Sequence, residues 1–134
     1  MGTFRKQYDT QAEAIITPCV FITTDQLRRL RTDSAVWDTG STATIISSRL
    51  AKQLNAKAYS KGSMSGIGGE AEGDTYLLHV LLPTGDAVTY VEVYETPLED
   101  YDAIIGMDLI TLGNMHLDSI GGKTTFTFSL PDRA

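Results

Sequence analysis

Short runs of apolar residues that alternate with polar ones recur along most of the chain. The clearest pair is TYLLHVLLP (75–83) and AVTYVEVYE (87–95), separated by the turn residues TGD, and this pattern predicts a β-hairpin. We predict further strands, and a final hairpin around Gly-Gly, in AEAIITPCVFIT (12–23), SAVWD (34–38), ATII (43–46), YDAIIG (101–106), MHLDS (115–119) and KTTFTFSL (123–130). Strand patterns therefore dominate the chain.

Two segments follow a helical pattern instead. SSRLAKQL (47–54) predicts a short helix that has Ser47 or Ser48 as its N-cap. MDLITL (107–112) predicts a second short helix, which ends at Gly113. Frequent short strands with one or two short helices predict an all-β fold that closes into a barrel.

Length and composition are those of a globular domain. The chain has 134 residues, of which 42% are hydrophobic and 21% charged, so we expect one domain over residues 1–134 with a modest core. The polar segment DQLRRLRTD (25–33) is predicted to be a connection. One cysteine, Cys19, lies in the apolar stretch CVFI, where it is expected to be buried. A single cysteine cannot form an internal disulfide.

The charge distribution argues against a nucleic-acid partner. The net charge is −6, and residues 63–119 contain acidic side chains but neither lysine nor arginine. Such a surface repels phosphate backbones, so we expect no nucleic-acid partner.

No stretch approaches 18 apolar residues and the N-terminus has no apolar leader, so we expect no membrane partner and a cytoplasmic location.

Metal and serine chemistry find little support in the pattern. His79 and His116 lie in predicted strands without ligand-like spacing, so both are predicted to be structural and no metal site is expected. The segment GSMSG (62–66) has Met64 at its centre, so it is not a nucleophile elbow.

A dinucleotide site is the alternative that the glycine-rich segment raises. GIGGEA (66–71) matches G-x-G-x-x-A, but that fingerprint needs a strand before it and a helix after it. Here a predicted hairpin follows, and the chain lacks alternating strands and helices. We therefore expect no cofactor, and we predict that these glycines form the tip of a hairpin.

One acidic residue stands at the end of an apolar strand. In SAVWDTGSTATIISS, Asp38 follows Trp37 and precedes Thr39 and Gly40. Asp-x-Gly is also ordinary turn chemistry, so the triplet alone is a weak signal. Two further features follow it in order, the glycine-rich SGIGG (65–69) and the apolar strand end AIIG.

This order and spacing resembles the retropepsin family, the single-domain aspartic proteases related to the retroviral enzymes. The resemblance extends roughly over residues 34–118. It implies an aspartic endopeptidase, in which two carboxylates that share one proton activate a water. The chain has one DTG, so its partner carboxylate must be Asp38 of a second copy in a homodimer. The alternative is a catalytically weak dimeric module that binds peptides or supports assembly on the same fold.

The resemblance also implies roles for the residues of the DTG loop. Asp38 is the implied catalytic acid and base, and the Thr39 hydroxyl reaches across to the backbone of the partner copy. Gly40 lets the substrate backbone approach, and Ser41 bonds the outer oxygen of Asp38.

The substrate side of the implied site is apolar. The resemblance therefore predicts a peptide or protein substrate that has apolar side chains near the cleaved bond and is held beneath a hairpin flap. The positions carried over as substrate-binding, besides Ser41, are Val36, Ile45, Ser65, Gly66, Ile67, Gly68 and Ile104.

Two regions of the chain are expected at the dimer contact. By the family pattern Trp37 lies near the interface, and the terminal segment FTFSL (126–130) is predicted to be an exposed pairing edge. The Asp–Arg pair beside the retroviral active site is expected to be absent, because Thr42 and Met107 stand there.

Overall fold

The computed structural model describes residues 2–66 and 69–131, with the backbone alone at positions 62–66 and 69–72. Within these residues the strands are β1 (Thr3–Gln7), β2 (Ile16–Thr23), β3 (Arg29–Trp37), β4 (Ile45–Ser47), β5 (Ser60–Gly66), β6 (Gly69–Leu81), β7 (Ala87–Thr96), β8 (Ala103–Ile105), β9 (Asn114–Asp118) and β10 (Thr125–Ser129). The helices are α1 (Ser48–Leu54) and α2 (Met107–Ile110), with a 3-10 turn at Ile120–Gly122.

Six strands close into a barrel. They follow one another in the order β2, β3, β8, β4, β7 and β6, and β6 returns to pair with β2. The core inside contains Phe21, Leu78, Val80, Val93 and Ile105, each almost fully buried. The predicted all-β barrel with two short helices is therefore confirmed. No helix among the described residues is long and apolar enough to cross a membrane.

A second sheet has the order β1, β10, β9 and packs against the barrel. Phe126 and Phe128 on its central strand are fully buried, and their rings lie 5.0 and 4.7 Å from the Trp37 ring. The prediction that the segment 126–130 is an exposed edge was wrong, because β1 covers the side of β10 that the sequence left open. Trp37 lies in the core of its own chain, 7% exposed, and its place near the dimer contact stays a prediction.

β1 and the start of β3 also differ from the sequence prediction. β1 was not predicted, because its residues TFRKQ are mostly polar and only its pairing with β10 makes it a strand. β3 begins at Arg29, inside the segment predicted to be a connection. There Arg29, Arg31 and Asp33 are exposed, while Thr32 between them is buried, so the strand alternates with an unusually polar outer face.

Helix α1 begins and ends as its sequence predicts. The Ser47 hydroxyl accepts a hydrogen bond from the Leu50 backbone N–H at 3.0 Å, which satisfies a free donor of the first turn. Asn55 closes the helix in the left-handed conformation. The buried residue Leu54 packs the helix against the barrel.

Two side chains predicted to be structural are buried in the barrel strands. Cys19 is buried as predicted, and loss of hydration raises the pKa of its thiol to about 12. His79 accepts a hydrogen bond at Nδ1 from the Tyr90 backbone N–H, 3.1 Å away, and its ring packs edge-on against the Tyr90 ring. His116, in contrast, is exposed on β9, with Nε2 3.6 Å from an Asp118 oxygen.

Candidate active site

The loop after β3 turns sharply around Asp38. The Asp38 N–H donates to the Ile105 carbonyl at 2.9 Å, which extends the β3–β8 pairing by one residue. The Gly40 N–H donates to Asp38 Oδ1 at 2.8 Å, and the Ser41 N–H donates to the Asp38 carbonyl at 3.2 Å. Asp38 is half-buried, whereas Thr39 and Gly40 are exposed. The backbone thus holds the carboxylate in one place at the end of the strand.

The turn after β8 supports this loop from below. A Cβ on Gly106 would lie 2.9 Å from the Ser41 carbonyl oxygen and closer still to that of Ala43. The Met107 N–H donates to the same Ser41 carbonyl at 2.7 Å. Because the two backbones touch here, the position beneath the loop admits only glycine.

Three predicted substrate-binding residues form one row across the barrel. β3 and β8 place Val36 beside Ile104, and β8 and β4 place Ile104 beside Ile45. Paired residues at one register share a face of the sheet, and Ala103 alternates to the opposite face, where the core lies. Asp38 stands two residues beyond Val36 along the chain, just past the end of β3. The structure therefore brings these apolar side chains together beside the carboxylate.

A buried threonine links the same loop to α2. The Thr44 N–H donates to Asp108 Oδ2 at 3.0 Å, and the Thr44 hydroxyl donates to Asp108 Oδ1 at 2.8 Å. Thr44 has no exposed surface. The link joins the regions of Thr42 and Met107, the positions where the retroviral pair is replaced.

Two hydroxyl groups of the loop differ in their surroundings. The Ser41 hydroxyl donates to the Ala43 carbonyl at 2.7 Å, so the predicted bond from Ser41 to the Asp38 carboxylate is not formed. The carbonyl two residues on is the nearer acceptor within the turn. The Thr39 hydroxyl has no hydrogen-bond partner in the part of the chain that the structure describes.

The glycine-rich segment belongs to a hairpin that leaves the barrel. β5 pairs with the first half of β6, from Ser60 with Thr75 to Gly66 with Gly69, while the second half of β6 pairs with β7 and β2. Ser65 lies on β5 opposite Glu70. The predicted positions Ile67 and Gly68 lie outside the described residues. Among those described, no group of His, Cys, Asp and Glu is arranged to hold a metal ion.

A family profile described as aspartyl protease matches residues 22–109. The chain belongs to the aspartyl protease family. Among solved structures, it resembles a retropepsin-like aspartic protease from Rickettsia conorii, with a TM-score of 0.57, 10% sequence identity and coverage of 96% of this chain and 94% of that one. The fold is therefore that of a retropepsin-like protease, as predicted.

A second solved structure matches over a smaller part of the chain. The Simian Foamy Virus (mac) protease has a TM-score of 0.45 and 22% sequence identity, with coverage of 71% of this chain and 92% of that one. A search of curated protein sequences found no match.

The retropepsin resemblance implies that AIIG (103–106) packs beneath the DTG loop, and Gly106 does lie there. The supporting residues that the sequence did not predict are Thr44 and Asp108. Their signal was available in part, because a Gly-x-Asp that follows an apolar strand places an acid in the first turn of a helix. The acid's partner, however, is 64 positions away in the chain.

Asp102, the residue before β8, links β3 to α1 through contacts that are more exposed than those between Thr44 and Asp108. It accepts a hydrogen bond from the Thr32 hydroxyl at 2.7 Å and forms an ion pair with Arg49 on α1. Both contacts hold the pKa of the Asp102 carboxyl below its ordinary value of 3.8, and the hydrogen bond from Thr32 has the larger effect.

Because the pKa is depressed in the folded chain, the ionised Asp102 stabilises the fold above about pH 4, and this contribution is lost as the pH falls through the folded-state pKa. We expect Asp102→Asn to lower the free energy of unfolding at pH 7 by less than about 1 kcal/mol, since the pair is partly exposed and screened. Denaturant unfolding at pH 7 and near pH 3 measures this, and the difference from wild type should shrink in acid. Asp33→Asn, which breaks a more exposed pair with Arg31, is the control. A difference that grows in acid would contradict the assignment.

Proposed function

We propose that this chain is an aspartic endopeptidase whose active unit is a homodimer, with one Asp38 from each copy. The observation that carries the proposal is the Asp38 loop, which holds one carboxylate at a strand end beside the apolar row Val36, Ile104 and Ile45. Membership of the aspartyl protease family supports the same chemistry.

The proposed reaction is hydrolysis of a peptide bond by water. Two carboxylates a few ångström apart share one proton, because like charges so close do not both ionise. The ionised Asp38 accepts a proton from water while the water oxygen attacks the scissile carbonyl carbon, and the other Asp38 donates its proton to the carbonyl oxygen. The C–N bond of the resulting gem-diol then breaks as the newly protonated Asp38 donates its proton to the amine nitrogen and the other Asp38 accepts a proton from a diol hydroxyl. A carboxylic acid and an amine leave, and the two carboxylates again share one proton.

The proposed substrate is an extended peptide with apolar side chains near the cleaved bond. The apolar row beside Asp38 supports this preference, because burial of such side chains favours binding. The hairpin of β5 and β6 projects beyond the barrel, and in the proposal it closes over the peptide as a flap and excludes water.

The proposed dimer contact is β9, which together with β1 forms an edge of the second sheet among the described residues. The register of β9 with β10 pairs Met115 with Phe128 and Leu117 with Phe126. Met115 and Leu117 therefore lie on the face of the sheet on which Phe126 and Phe128 pack against Trp37. Met115 and Leu117 are nevertheless 36% and 51% exposed, and the neighbouring Ile120 is 81% exposed. An edge strand can pair antiparallel with its own copy about a two-fold axis, and such pairing would bury these side chains.

A mixing experiment tests the two-chain active site. If each site needs two Asp38 residues, inactive Asp38→Asn chains should poison wild-type chains by forming heterodimers. At a ninefold excess of the variant, specific activity per wild-type chain on an apolar peptide library should fall to about one tenth, as random pairing requires. Dilution below the dimer dissociation constant should lower it as well.

A matched variant controls for non-specific effects. Asp38→Asn chains that also carry Leu117→Lys at the β9 edge should not pair, and they should leave wild-type activity unchanged. Sedimentation across the same dilution series should show the dimer dissociating where the activity falls. A monomer with full activity per chain would refute both the dimer and the shared carboxylates.

A further inference from the structure

Asp108 is bound to the catalytic loop through a fully buried residue. Both of its carboxylate oxygens accept hydrogen bonds from Thr44, one from the backbone N–H and one from the hydroxyl. Oδ1 also accepts from the Leu109 N–H at 2.9 Å, so the carboxylate itself is held by its own helix turn. A neutral side chain could not replace this acceptor set, because two of the three donors point at one oxygen and the third points at the other.

The Thr44 backbone in turn fixes the exit of the loop. Its carbonyl accepts a hydrogen bond from the Tyr94 N–H at 3.0 Å, which ties the segment to β7. The Gly106 N–H lies 3.4 Å from the Thr44 hydroxyl oxygen, on the side of β8. The entrance of the loop is held separately, by the bond from the Asp38 N–H to the Ile105 carbonyl. The segment between 38 and 44 is thus anchored at both ends on the same β8–α2 unit.

We propose that Asp108 is a positioning residue for the Asp38 carboxylate, acting through Thr44. The proposal rests on the proposed peptidase function. An ionised Asp108 accepts from both Thr44 donors and keeps the loop seated on α2. When one acceptor is lost, a buried donor is left unpaired and the loop shifts to satisfy it, because an unpaired buried polar group is costly. Small displacements of a catalytic group lower turnover more than they weaken binding.

The first test separates turnover from binding. Asp108→Asn keeps the shape of the side chain but turns an NH₂ group toward a Thr44 donor. We expect its kcat on a cleaved apolar peptide to fall about 10- to 100-fold, with KM changed less than about twofold, per active site titrated with a tight-binding transition-state analogue. Asp100→Asn removes the same charge from an exposed position of the same acidic segment and should leave kcat unchanged.

Variants at Thr44 supply the conservative rescue. Thr44→Ser keeps both donors and should retain most of the turnover, whereas Thr44→Val keeps the shape, loses the hydroxyl and should behave like Asp108→Asn. If Thr44→Val retains kcat while Thr44→Ser loses it, packing of the methyl group and not the hydroxyl explains the loss, and the proposal is overturned. If Asp108→Asn does not fold, the serine and valine pair carries the test.

Hydrogen exchange provides a readout that does not require activity. The Thr44 amide hydrogen should exchange at least about tenfold faster in Asp108→Asn than in wild type, while amides paired between β1 and β10 keep their rates. If wild type cleaves no peptide, the peptidase proposal fails. Accelerated exchange at Thr44 in Asp108→Asn would still show that Asp108 holds Thr44 in place. Unchanged Thr44 exchange together with unchanged kcat would overturn the role of Asp108.

Discussion

Asp38→Asn should abolish peptidase activity and leave the fold intact. An amide neither accepts the proton of the attacking water nor shares a proton with the partner carboxylate, so we expect kcat to fall by at least about 10³-fold. The Gly40 N–H can still donate to the remaining side-chain oxygen, so the loop keeps its main internal bond. Cleavage of an apolar peptide library by purified wild type and variant, followed by mass spectrometry of the products, measures the effect.

Two controls make this result interpretable. Asp33→Asn removes the same charge from an exposed position five residues earlier on β3 and should cleave like wild type. The chain contains one tryptophan, Trp37, which is buried beside the loop, so an unchanged emission spectrum in Asp38→Asn shows that the packing there is retained. Wild-type-like cleavage by the variant would remove the aspartic mechanism. A wild type that binds apolar peptides without cleaving them would favour the peptide-binding module instead.

Gly106→Ala should damage both stability and turnover. The added methyl group would overlap the Ala43 carbonyl and press on that of Ser41, and both are backbone atoms that cannot rotate away. The loop or α2 must therefore move, at a cost of about 1–3 kcal/mol in the free energy of unfolding. Since the loop bears Asp38, we expect kcat to fall about 100-fold or more. Denaturant unfolding and titrated peptidase assays measure the two effects.

A glycine elsewhere distinguishes this collision from ordinary backbone strain. Gly85→Ala introduces a methyl group into open space at a residue with φ of +92°, in the turn between β6 and β7. We expect that variant to lose some stability but to retain turnover, because its strain lies far along the chain from the loop. Equal turnover in Gly106→Ala and wild type would show that the loop does not depend on this contact.

Local patterns were sufficient where each segment's own residues decide its structure. The β6–β7 hairpin follows from alternation around a turn, and α1 follows from Ser47 as its cap and Asn55 at its end. The barrel class follows from the number and shortness of such strands. β1 and the start of β3 were missed for the opposite reason, since their polar residues become strands only through their partners β10 and β2.

The sequence by itself showed the motif order that resembles the retropepsin family, and that resemblance named Asp38, Val36, Ile45 and Ile104. Their strand pattern is local, so the sequence also placed each of them in a strand or at its end. Only the tertiary structure decided what holds them. Thr44 meets Asp108 across 64 positions, and the blocked space at Gly106 exists because two distant turns touch. It also placed the segment 126–130 in the middle of a sheet whose edge strands, among the described residues, are β1 and β9. Long-range pairing assigns partners that no local pattern specifies, since a strand's burial depends on which strands lie beside it.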